Sequence, residues 1–225
     1  MNLKVINKCI DQLYTIMLSP DYDGWRLWEL THQFQENWDI DASDFKEMFQ
    51  SSFKINSPLW YRDGFTPLKA MERYIDLNED FVRSMFLDLF NEKRDIAGRI
   101  SRFRYQCDLL YKEERSATQK VMPHYHDDRK MIHIYLSFRY PDQYALFNFP
   151  FFKEFMTKIG SKSIPQQEDI DRFVKVCRTL LQLIKKNDNL IQMVNYKTAS
   201  ISNEKEYPML LVFDLYSLVN EYELD

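Results

Sequence analysis

His124–Gly160 reads HYHDDRKMIHIYLSFRYPDQYALFNFPFFKEFMTKIG, and the way this stretch folds decides the fold class. Asp127 or Asp128 can cap a helix, because a short side-chain oxygen accepts an orphan backbone N–H at a helix start. Met131, Ile134, Tyr135 and Phe138 then fall at i, i+3, i+4 and i+7, one helical face. Ile132, Ile134, Leu136 and Phe138 also alternate, as they would in a strand. The run is longer than the usual strand of about five or six residues, and a cap precedes it, so helix is preferred. Pro141 stops the turn from continuing. Tyr144–Phe147 reads as a short extended piece. Pro150 suits a first helical turn, and Phe151, Phe152, Phe155, Met156 and Ile159 form the apolar face of a second helix. Gly160 can supply that helix's left-handed terminal residue.

Working outward, the same periodicity recurs on both sides. Leu3, Ile6, Ile10, Leu13 and Met17 predict a first helix ending near Ser19-Pro20. Trp25, Trp28, Phe34 and Trp38 mark an aromatic-rich second segment. Phe45, Met48, Phe49 and Phe53 follow the capping residues Asp41–Asp44. Thr66-Pro67 starts a helix carrying Leu68, Met71 and Ile75. Asn78-Glu79-Asp80 starts another, with Phe81, Val82, Met85, Phe86, Leu89 and Phe90 as its buried stripe. Ile96, Ile100, Phe103, Cys107 and Leu110 repeat at 4, 3, 4, 3, a heptad-like seam on a helix of roughly 20 residues. Lys112–Lys120 reads as a loop or frayed end. Ile170, Phe173, Val174, Cys177, Leu181 and Ile184 define another long helix, Leu190, Ile191 and Val194 a short one, and Asn195–Glu206 a loop. Pro208 opens a last helix with Leu211, Val212, Leu215, Leu218 and Val219. The expectation is a mainly α, multi-helix domain with at most a small β element. Residues 1–57 read as an N-terminal helical segment and 58–225 as the main region, or both as one continuous domain.

Composition agrees. The 225 residues are 45% hydrophobic, with 17 Phe and 14 Tyr but only 4 Gly, enough apolar surface for a core and too few turn residues for a many-stranded sandwich. Cys9, Cys107 and Cys177 each lie on an apolar stripe, which predicts free buried thiols and a cytoplasmic setting. No run of 18 apolar residues suggests a membrane span. The net charge of −4 is unevenly spread. Residues 81–200 carry 21 Lys/Arg against 14 Asp/Glu, while both flanks are acidic. A basic centre suits an anionic partner, and equally a solvated set of helix faces.

No catalytic motif stands out. The glycines at 24, 64, 98 and 160 are too scattered for a phosphate-binding loop, and no Glu or Gln is followed two positions later by Lys, as a restriction-type nuclease core requires. No cofactor is expected. His124, His126, Asp127 and Asp128 are the one set that could share a divalent ion, although a capping segment with partly exposed histidines explains them as well. His133 reads as a boundary residue and His32 as partnerless. Lys93, Arg94, Arg99, Arg102 and Arg104, with a single acid (Asp95) among them, are candidate phosphate contacts. Arg139, Lys185 and Lys186 are weaker ones. Trp60, Tyr61 and Phe65 are candidates to stack on a base, or to plug the core.

Two stretches carry a resemblance. LWYRDGFTPLKAMERYIDLNEDFVRSMFLDLFNEKRDIAGRISRFR (59–104) and HYHDDRKMIHIYLSFRYPDQYALFNFPFFKEF (124–155) resemble, in order, segments of the N-terminal region of McrB-like AAA+ ATPases, the motors of modification-dependent (type IV) restriction systems. The similarity spans about 58–220, and His126 stands where the family pattern has Gln. It implies a non-catalytic recognition domain of a restriction and phage-defence system, binding plain or modified DNA. It also implies an AAA+ motor, fused C-terminally or separate, and a nuclease subunit as partners. Two other readings stay open: a protein-interaction or assembly module sensing a non-DNA trigger, and a metal-dependent enzyme working through His124–Asp128.

Overall fold

A computed structural model describes residues 1–61, 66–118, 123–124, 126–202 and 205–221. The described residues form ten α-helices and no strand. They divide into two compact units. The first comprises Met1–His32 and Tyr140–Asp225, the second Gln33–Arg139. The expected boundary at 57/58 lies inside the second unit. The chain passes from one unit to the other within α2 (Trp25–Asn37) and again at Arg139/Tyr140. The second crossing falls one residue before Pro141, in the middle of the stretch that decides the fold.

The first unit contains α1 (Leu3–Leu18), the start of α2, α7 (Phe149–Lys158), α8 (Ile170–Ile184), α9 (Asp188–Ser202) and α10 (Pro208–Leu218). At its centre is α10, where Met209, Leu210, Leu211, Val212, Leu215 and Tyr216 are all buried. A helix apolar on every side has no face for water and must be enclosed; α1, α7 and α8 pack against it. By contrast α8 is strongly two-faced, burying Phe173, Val174, Cys177, Leu180, Leu181 and Ile184. The Asp169 carboxylate accepts the Arg172 N–H at 2.9 Å and caps it. Gly160 ends α7 at φ +61°, with its N–H on the Thr157 carbonyl and that of Ser161 on the Met156 carbonyl, both at 3.0 Å. That is the left-handed close the sequence anticipates. Phe151 departs from expectation: it is 40% exposed, whereas Phe152, Phe155, Met156 and Ile159 are buried.

The second unit contains the end of α2, α3 (Phe45–Ser52), a single 3-10 turn (Pro58–Trp60), α4 (Pro67–Leu89), α5 (Ile96–Thr118) and α6 (Lys130–Arg139). Its core is aromatic: Phe34, Phe45, Phe49, Phe86, Phe103, Tyr135 and Phe138 are all within 1% of full burial. Each such side chain contributes about 1.5–3 kcal/mol by leaving water. The helix preferred for the deciding stretch is present, but every residue from Met131 to Phe138 is buried. The competing alternation arose because the segment is apolar on all sides. The two helices expected around Asn78 appear as one kinked element, with Asn78 extended (φ −158°, ψ 85°) and its side chain accepting the Phe81 N–H at 3.1 Å. The seam of α5 is buried throughout.

Two loop expectations are corrected. Helix α5 continues through Lys112 to Thr118, and α9 continues through Asn195 to Ser202. Lys112, Glu113, Arg115 and Ser116 of the first tail and Asn195, Lys197 and Ser200 of the second face water. Thr198 and Ser202 are buried with their hydroxyls bonded to backbone carbonyls, and polarity alone does not end a helix. No strand forms at Tyr144–Phe147, which is neither helix nor strand. The three cysteines are free and buried, as expected.

Candidate nucleic-acid interface

The 93–104 cluster is largely consumed by the fold. Asp88, at the end of α4, accepts the Arg102 Nε at 2.7 Å and pairs also with Arg94. Burial pushes the Asp88 carboxyl up, but Arg102 and Arg94 outweigh it and hold the group below the usual carboxylate range. Arg99 is 1% exposed; its Nη1 donates to the Leu89 carbonyl at 2.8 Å and its Nη2 approaches Glu92 at 3.5 Å. A guanidinium spent on the last carbonyls of α4 joins two helices and cannot reach a phosphate, so the expectation for Arg99 is corrected. Lys93 is exposed and Arg104 half-buried. Arg139 is exposed at the end of α6.

The stacking candidates separate. Trp60 is 4% exposed, edge-on to Phe53 at 5.7 Å and to Phe138 at 6.3 Å. It plugs the core of the second unit and has no free face for a base. Tyr61 is 46% exposed. Phe65 lies outside the described residues.

A different surface gathers unpaired charge. On α8 and its C-terminal end, Lys175, Arg178, Lys185 and Lys186 are all exposed. At 100° per residue they fall within an arc of about 100°, opposite the buried face. Among the described residues none of the four makes an ion pair. Asp142 and Glu206 flank Arg178 and Lys185 without reaching them. Lys175 to Lys186 spans about 16 Å at 1.5 Å per residue, the axial rise of roughly five nucleotides. Sequence reasoning picked out Lys185 and Lys186 and missed Lys175 and Arg178. The signal was there: no acid stands between Asp171 and Asp188.

The histidine cluster is internal. His124 Nδ1 accepts the His126 N–H at 3.0 Å, which leaves Nε2 to donate to Asp108 at 3.1 Å. His126 Nδ1 donates to the His124 carbonyl at 2.7 Å, and its Nε2 accepts from Tyr135 Oη at 3.2 Å. All four ring nitrogens are committed, and no group of three metal-ligating side chains forms among the described residues. Asp127 and Asp128 are exposed, and Asp128 caps α6 through the Lys130 N–H at 3.0 Å. Burial, helped by neighbouring His124, lowers the His126 pKa to about 3, and burial near Arg129 does the same for His133. His133 is thus a core residue and not a boundary one. His32 does have a partner, Tyr207 Oη at 2.9 Å. Burial also pushes the Cys9 thiol up to about 11 and the Cys107 and Cys177 thiols well up, away from the reactive thiolate.

One buried acid stands apart. Asp214 on α10 is 3% exposed and accepts from Tyr22 Oη at 2.7 Å. Burial raises its pKa to about 7, partly countered by the Tyr22 hydrogen bond. No helix among the described residues is long and apolar enough to cross a membrane. Compared with known proteins, the chain matches no family model, no curated protein and no solved structure.

Proposed function

We propose that this chain is a non-catalytic, cytoplasmic recognition module that binds DNA, plain or modified, on behalf of an AAA+ motor and a nuclease. The observation that carries the reading is the face of α8: four exposed cations, none in an ion pair among the described residues, with no acid in the helix beyond its first turn. Phosphate contacts by such groups give sequence-independent affinity with a strong salt dependence. The likeness of 59–104 and 124–155 to McrB-like N-terminal segments supports the same reading and supplies the motor and nuclease partners. Protonated thiols and a neutral, fully hydrogen-bonded His126 speak for binding over catalysis. The test is a mobility-shift series on plain and cytosine-methylated duplexes across salt, comparing the wild type with Lys175→Ala/Arg178→Ala/Lys185→Ala/Lys186→Ala.

A second reading, an interaction or assembly module sensing a non-DNA trigger, draws on α5. Tyr105 and Leu109 lie one turn apart there and are 60% and 38% exposed. Exposed apolar neighbours of this kind mark contact surfaces. If sedimentation shows self-association that Tyr105→Ser/Leu109→Ser abolishes, while DNA binding is absent, this second reading is the better one.

A further inference from the structure

The first unit holds a cavity of about 620 Å³ that shares only Lys185 with the DNA reading. Its size falls within the roughly 300–1,000 Å³ of small-molecule sites. Leu181 of α8, Ile191 and Val194 of α9 and Leu211 of α10 form its walls. The Trp28 and Tyr207 rings, 5.8 Å apart and tilted by 35°, add two aromatic surfaces. Two polar groups of this lining are already spent, while Trp28 Nε1 is buried with no hydrogen-bond partner among the described residues. Tyr207 Oη is bonded to His32, and Thr198 Oγ1 donates to the Val194 carbonyl at 2.9 Å. The aliphatic and aromatic walls recognise shape and apolar surface, and the Trp28 Nε1–H leaves one donor among them.

The rim is different. Lys185 lines both this cavity and an adjoining open groove of about 700 Å³, where Arg178 lies further along. Among the described residues neither cation makes an ion pair, so an anion placed there finds charge that no described acid has taken. Glu206 shares the rim and Asp142 the groove, which disfavours a head group with more than one negative charge. We propose that the cavity binds a small amphiphile with one anionic head group, its apolar body between α8, α9 and α10 and its head at Lys185.

The experiment is isothermal titration of the full chain with octanoate, octan-1-ol and octylammonium. Octanoate is expected to bind saturably at one site, octanol at least several-fold more weakly, and octylammonium not measurably. Lys185→Glu is expected to weaken octanoate at least ten-fold with little effect on octanol. Ala199→Trp, placing bulk at an exposed position of the lining, is expected to abolish both while leaving the helical circular dichroism and DNA binding unchanged. The proposal is overturned if octanoate fails to bind saturably, if octylammonium binds as well, or if folded Ala199→Trp binds octanoate like the wild type. Lys185 belongs to both readings, but Ala199→Trp leaves all four α8 cations in place, so loss of octanoate binding with DNA binding kept, or the reverse, tells the failure of one reading from that of the other.

Discussion

Asp214 gives the protein a pH dependence that one substitution isolates. The carboxyl sits in α10 at 3% exposure with Tyr22 as its hydrogen-bond partner. Its pKa moves from an ordinary 3.8 to about 7, chiefly through burial. The gap of roughly three units corresponds to about 4 kcal/mol at 1.36 kcal/mol per unit. Between the two pKa values the folded protein keeps a proton that the unfolded chain has released. This contribution is therefore full below about pH 4 and is lost as pH rises through 7. His126 and His133 work in the opposite sense. Their folded pKa values, about 3 against an ordinary 6.5, make the folded state lose stability as pH falls below 6.5. The wild-type profile mixes the two effects, and a difference against Asp214→Asn removes the histidines. Asparagine can still accept from Tyr22 Oη and cannot ionise. Urea unfolding of both proteins from pH 4 to 8.5 is expected to show the variant gaining on the wild type by about 1.4 kcal/mol per pH unit up to 7, then levelling. A difference that stays flat across that range refutes the reasoning.

Other consequences follow from single contacts. A Cβ at Gly24 would lie 2.2 Å from Tyr22 Oη, so Gly24→Ala is expected to displace the phenol from Asp214 and lower the midpoint in urea by the equivalent of about 1–3 kcal/mol. Arg99→Ala is expected to cost about 2–4 kcal/mol in urea unfolding, because it leaves the Leu89 carbonyl unsatisfied and opens a cavity; a neutral result would mean that Arg99 is not the tie between α4 and α5. Asp88→Asn removes a partner shared by two half-exposed arginines and is expected to cost only about 1 kcal/mol, less at high salt; a larger, salt-insensitive loss would contradict that.

The sequence carried the helices more clearly than the site, for physical reasons visible in particular residues. Caps and terminators are local: Thr66-Pro67, Asp128 and Gly160 act where the sequence places them. Heptad spacing on α5 likewise depends only on helical geometry. The polar ends of α5 and α9 were misread because a solvent-facing helix tail and a loop have the same composition. The division into units was illegible, since α2 passes through it unbroken. Site reasoning failed for a different reason. The dense basic run at 93–104 looks free along the chain, but Asp88 comes from another helix and Leu89 offers a carbonyl that composition does not record. On α8 the cations are sparser, yet their spacing puts them on one face and no acid among the described residues pairs with them. Counting charges favoured the first cluster; pairing them favours the second.

The most direct test is the salt dependence of duplex binding. Four phosphate contacts from α8 predict a log–log slope of up to about −3.6, at about −0.9 per contact, and hence about a 150-fold loss of affinity between 50 and 200 mM salt. Lys175→Ala/Arg178→Ala/Lys185→Ala/Lys186→Ala should flatten that slope to near zero and weaken plain and methylated duplexes alike, while Lys93→Ala/Arg104→Ala should leave most of it in place. A quadruple variant that folds and keeps the wild-type affinity and slope would contradict the account.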